Sequence, residues 1–119
     1  MLQASILRHF RRLKLTEGVS ATLTRGAVTT TPTIVLGRTD SQALTNREAT
    51  FSADSQDILV EAAEYIGEPQ DGDSIAWDEE GQLVTAEARP PTGTERCFSR
   101  WKGGQVYRVH CKVISREDN

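Results

Sequence analysis

The chain has 119 residues, 37% of them apolar and 26% charged, and carries a formal net charge of −3 at pH 7. That length suits a single domain spanning 1–119 with a real core, and the balance excludes a disordered chain. With only Cys97 and Cys111, no apolar run near the roughly 20 residues that cross a bilayer, no secretory leader and no myristoylation glycine, the residues describe a soluble intracellular protein whose thiols are free.

Residues 1–16 read as a basic amphipathic helix. In SILRHFRRLKL, Ile6, Leu7, Phe10 and Leu13 recur at helical spacing, with Ser5 placed to cap and Gly18 to stop the helix. Arg8, Arg11, Arg12 and Lys14 give residues 1–14 a charge of +4. A basic face could meet anionic lipid or nucleic acid, but a helix of about two to three turns is expected to dock on its own domain or a neighbouring subunit.

After Gly18 the pattern becomes that of strands. Val19, Ala21 and Leu23 alternate with Ser20, Thr22 and Thr24, and TIVLGRT follows Pro32 as a second β-branched run. Residues 40–47 have no period and read as a flexible loop; alternation resumes through Ala49, Phe51 and Ala53. The next stretch is ambiguous. Ile58, Leu59, Ala62, Ala63 and Ile66 fit a helical stripe, whereas Ile58-Leu59-Val60 also fits a buried strand ending before Gly67. A turn at Asp71-Gly72, a strand holding Ile75 and Trp77, a tight turn at Glu80-Gly81 and a strand over 83–88 predict a β-hairpin. RPPTGTE breaks the chain, RCFSRW can form a strand, and Gly103-Gly104 turns it into QVYRVHCKVI, whose strict alternation makes a final strand. The expected fold is mainly β: a small barrel or sandwich of six to seven strands over 19–114 with a short N-terminal helix.

The chemistry expected of these residues is not catalytic. EPQDGDSIAW concentrates carboxylates, but after Asp71 and Asp73 it places apolar residues where a calcium loop needs further oxygen ligands. Cys97, His110 and Cys111 lack paired zinc spacing, and adjacent His110 and Cys111 point to opposite faces of a strand. Neither His9 nor His110 has the surroundings of a general base, and no phosphate-binding or dinucleotide motif is present. No cofactor, metal or catalytic residue is expected. A binding function has more support. Phe98, Trp101 and Tyr107 interleave with Arg96, Arg100, Lys102, Arg108 and Lys112, which would suit a single-stranded nucleic-acid module on a small barrel. The competing expectation is that the aromatics are core and the bases answer acids elsewhere.

Charge is strongly segregated. Residues 54–80 contain ten acids and no base, while 89–116 contain seven bases against Glu95 alone. Such blocks either neutralise each other within the fold or form complementary faces between subunits.

FSADSQDILVEAAEY, GEPQDGDSI, GQLVTAE, FSRW and YRVHCKV follow one another along the second half of the chain, with Gly72, Asp73, Ile75, Gly81, Trp101, Arg108, His110 and Lys112 as their marked positions. In that order they resemble the head-tail joining proteins of tailed bacteriophages, the adaptor, head-closure or stopper class. Leu83-Val84 and Cys111 depart from the family's usual aromatic and threonine. The resemblance implies that DILVEA is a strand closed by a short turn. It also implies a virion structural protein, assembled in the bacterial host cytoplasm, forming a six- or twelve-fold ring in the neck. Its partners would be itself, the portal or adaptor, the tail or tail terminator, and genomic DNA passing without sequence specificity; no membrane partner is implied. Asp71, Asp73, Asp78, Glu79, Glu80, Arg96, Arg100 and Lys102 are the candidate interface residues, because a ring needs two unlike complementary faces. The loop holding Asp40, Gln42, Asn46 and Arg47 is the candidate for reaching the channel or the neighbouring ring.

Overall fold

Alternating side chains make each strand a wall with one apolar face, and here the wall closes on itself. The computed structural model describes residues 2–37, 55–90, 96–100 and 104–118. They form one helix, α1 (Leu2–Glu17), and eight strands: β1 (Gly18–Arg25), β2 (Val28–Thr30), β3 (Thr33–Gly37), β4 (Ser55–Glu61), β5 (Ser74–Glu79), β6 (Gln82–Ala88), β7 (Phe98–Arg100) and β8 (Val106–Asp118). Six of them pair antiparallel in the order β1-β3-β4-β8-β6-β5. The circle is completed where β5 meets β1, with Ala21 opposite Trp77 and Leu23 opposite Ile75. β2 is added beside β1, and β7 beside β8. The fold is therefore mainly β, a closed six-stranded barrel with two extra strands and an N-terminal helix.

The barrel interior is filled. Period-two alternation turns Ile75 and Trp77 of β5, Val84 and Ala86 of β6, and Val109 and Cys111 of β8 inward, and all are buried. The predicted hairpin is found with its two-residue turn at Glu80-Gly81, and the predicted final strand is found too, continuing past residue 114 to pair its last residues with β6.

The ambiguous stretch is a strand. β4 buries both faces: Ile58 and Val60 enter the barrel, and Leu59 packs outside it. After Glu61 the chain makes one 3-10 turn over Ala62–Glu64. Consecutive burial on two faces followed by a helical turn reproduces the stripe of an amphipathic helix, which is why the local period fits either element.

α1 docks on its own domain. Phe10, fully buried, joins Val35, Leu59 and Val106 in a second small core, flanked by Leu7 and Leu13. The side chain of Ile6 lies outside the described residues. The helix starts at Leu2, so Ser5 is inside it and does not cap it, and its 16 residues exceed the expected two to three turns. It stops where predicted. A Cβ on Gly18 would stand 2.4 Å from the Lys14 carbonyl oxygen and 2.8 Å from Thr33 Cγ2, so only glycine lets β1 leave the helix this tightly.

The expected 40–47 loop, the alternation through Ala49, Phe51 and Ala53, and Trp101, Lys102 and Gly103 lie outside the described residues. No helix of the described residues is long and apolar enough to cross a membrane.

Candidate assembly interface

The expected interface carboxylates separate into two groups once the barrel is built. Asp73 belongs to the interior. The segment between β4 and β5 crosses one end of the barrel, and its turn closes with the Asp73 amide donating to the Gln70 carbonyl at 3.1 Å, with Gly72 at φ 91°. Asp73 itself is only 2% exposed. Its carboxylate accepts from Arg25 Nε and Nη2, each at 2.8 Å, from the Tyr65 hydroxyl at 2.8 Å and from the Gln70 amide at 2.9 Å. Arg25 also donates to the carbonyls of Ile66 and Glu68, so one guanidinium ties the whole crossing segment to β1. Burial alone would raise the Asp73 pKa, but Arg25 and the two other donors hold it below the usual carboxylate value. Burial, then the Asp73 charge, pushes the Tyr65 hydroxyl up, keeping it a proton donor. Asp73 is thus withdrawn from the interface candidates, because a carboxylate with four donors in its own subunit has none to seek in another.

A second buried carboxylate, Asp57 of β4, lies opposite His110 in the β4–β8 register. Arg108 Nε donates to its Oδ2 at 2.7 Å, and His110 Nδ1 lies 3.0 Å from its Oδ1. A third, Glu61, binds the helix. Arg11 and Lys14 reach it at 3.0 and 2.5 Å, and Lys14 also meets Glu64 at 2.6 Å. Glu64 in turn accepts the Thr33 amide at 3.0 Å. Burial opposes the charge of Glu61, yet Lys14 and Arg11 outweigh it and hold its pKa below the ordinary value. Burial likewise works against the charged Lys14, and its two carboxylates outweigh that, raising its pKa.

The acidic block is thus answered in part within the subunit, by Arg108 and Arg100 of the basic block and by Arg11, Lys14 and Arg25 from outside it. Glu68 pairs with Arg100, whose guanidinium also stands 5.5 Å over the Tyr107 ring and 5.9 Å over the Phe98 ring. Phe98 and Tyr107 pack edge to face with centroids 5.4 Å apart, and Tyr107 is buried. Tyr107 belongs to the core and Phe98 packs partly buried against it, while Trp101 lies outside the described residues. Asp71, though exposed, accepts the Cys97 thiol, which burial first and Asp71 second push up to about 12. Cys111 is pushed up by burial too, and both thiols are buried and unpaired with each other.

The remaining candidates are the ones placed at the surface. Asp78 and Glu80 are exposed at the tip of the β5–β6 hairpin, where Glu79 accepts the Trp77 indole N–H at 3.0 Å. Arg96 is exposed just before β7. Lys102, and Asp40, Gln42, Asn46 and Arg47 of the expected projecting loop, lie outside the described residues. Sequence reasoning missed Arg25, Tyr65, Asp57 and Glu61, whose roles depend on partners far along the chain. A cation before Gly26 and a tyrosine just ahead of the carboxylate-rich turn were the available signals for the first two.

Among the described residues no group of three or more His, Cys, Asp or Glu side chains could hold a metal ion. Comparison with protein-family models, curated proteins and solved structures finds no match.

Proposed function

We propose that the chain is a structural protein of a tailed-phage neck, forming a ring between portal and tail through which DNA passes. One observation carries this reading. FSADSQDILVEAAEY and YRVHCKV, two separate stretches of the resemblance, meet in the fold, where Arg108 and His110 of the second hold Asp57 of the first, 51 residues before Arg108. Two separated parts of the resemblance thus have a single physical reason to occur together. The strand at β4, which the resemblance implied against the local helical periodicity, adds support. Because the barrel interior is packed with side chains, the DNA path of such a protein is the hole of the ring and not that of the barrel.

The single-stranded nucleic-acid module is the weaker reading, since Arg100, Phe98 and Tyr107 are engaged with one another and with Glu68. Negative-stain imaging and light scattering of the purified protein, alone and mixed with portal rings, test the proposal. Rings, or a layer added to the portal, are expected; a monomer under both conditions overturns it.

A further inference from the structure

Two exposed charged surfaces stand out, one on α1 and one at the end of the β5–β6 hairpin. On α1, Leu7, Phe10, Leu13 and Lys14 face the wall, so Arg8, Arg12 and Leu15, spaced i, i+4, i+7, line the outer side. Arg8 and Arg12 are exposed and have no side-chain partner among the described residues. Leu15 is 87% exposed, an apolar side chain standing in water beside two cations. The other surface is the end formed by the β5–β6 turn and the tail of β8. Asp78, Leu83 and Glu117 share one cross-strand row there, with Glu80 at the tip and Asp118 beside Gln82. The four acids are exposed; Arg116 is the one base among them, and Ile114, 51% exposed, lies nearby on the same strand.

α1 covers Val35 of β3, Leu59 of β4 and Val106 of β8, whereas the acidic end is built from the β5–β6 turn and the far tail of β8.

We propose that the outer stripe of α1 docks on the acidic end of the β5–β6 hairpin of a second copy of this chain. The inference rests on the ring reading and names the surfaces that would build the ring. Two unlike faces, each complementary to the other, give a heterologous, head-to-tail contact, which propagates into a ring and does not stop at a two-fold dimer. Charge complementarity selects the register and speeds encounter, and Leu15 with Ile114 supplies an apolar centre that water leaves.

Charge reversal on each face, followed by mixing, tests it. R8E/R12E carries acid on both faces, and E80K/E117K carries base on both, so each alone is expected to lose self-association, with an apparent dissociation constant raised about tenfold or more at low salt. An equimolar mixture is expected to recover it, since each reversed face then meets its complement. Far-UV circular dichroism and thermal melts of each variant, all four positions being exposed, check that the barrel is intact. If the wild type forms rings and the variants match it in light scattering, the surfaces named here are wrong while the ring reading stands. Loss of assembly in both variants without recovery on mixing also overturns the pairing. A wild type that stays monomeric with and without portal rings removes both proposals. A monomer that binds double-stranded DNA or anionic vesicles through Arg8 and Arg12 assigns the stripe to that ligand and overturns the second-copy contact.

Discussion

Inside the barrel, thirteen buried side chains of the six wall strands, Trp77 the largest, pack together with Tyr65 and Cys97; outside it, under α1, Phe10, Val35, Leu59 and Val106 are the buried apolar cluster among the described residues. β4 serves both, with Ile58 and Val60 on one face and Leu59 on the other. Both regions bury a carboxylate, Asp73 under Arg25 at the barrel end and Glu61 under Lys14 and Arg11 at the helix, and Arg11, 60% exposed along its side chain, is the most open of the three cations. The difference in core size predicts that the interior unfolds as one cooperative unit and that the helix, resting on the smaller core, can open before the barrel does.

The sharpest way to break that contrast is at its centre. Trp77→Ala should destabilise the whole protein by about 4 kcal/mol, through lost burial and the cavity left behind. Urea unfolding followed by circular dichroism measures it, and a midpoint unchanged from wild type would show that the interior is not one unit. Next comes the clamp. Arg25→Ala leaves Asp73 buried without its cation and should cost about 3 kcal/mol. The sign of its pH dependence follows from the depressed Asp73 pKa: the contribution is fully present above the ordinary carboxylate value and is lost as pH falls from there through the lowered one. Stability measured at stepwise lower pH should therefore fall more steeply in the wild type than in Asp73→Asn; parallel curves would rule out Asp73 as the source.

Smaller effects belong to the outer core. Phe10→Ala should cost about 2 kcal/mol, and the helical signal should melt before the sheet signal. Coincident melting of the two would make α1 part of the barrel's cooperative unit. Glu61→Gln should cost about 1 kcal/mol, with most of the difference from wild type removed by high salt, because its cations are partly exposed. A salt-independent loss would place the effect in burial and not in charge.

Much of the wall was legible. The hairpin and β8 announce themselves because alternation and a two-residue turn are local signals, readable without knowing what lies across the sheet. β4 was legible only as an alternative, since Ile58 and Val60 fill the barrel while Leu59 between them is buried under α1, so its centre is an unbroken apolar run in which the period of two is hidden. The charge blocks were visible, but their resolution was not. Asp57 with Arg108 and Glu61 with Arg11 are pairs separated by 51 and 50 positions, and only the register of β4 on β8 and the docking of α1 decide that they meet. For Asp73 the sequence offered a turn residue; its burial depends on Arg25 and Tyr65 converging over the barrel end.

β8 is the last wall strand in the chain, yet it pairs with β4, β6 and β7. On a ribosome, the gap between β4 and β6 therefore stays open until residues 106–118 have been made. Until then the nascent chain carries two unpaired strand edges beside a half-built apolar interior, the state in which neighbouring chains on one message are most apt to pair wrongly. The barrel is consequently a fold completed after synthesis of its final strand, by a step that joins distant parts of the chain and is slow for that reason.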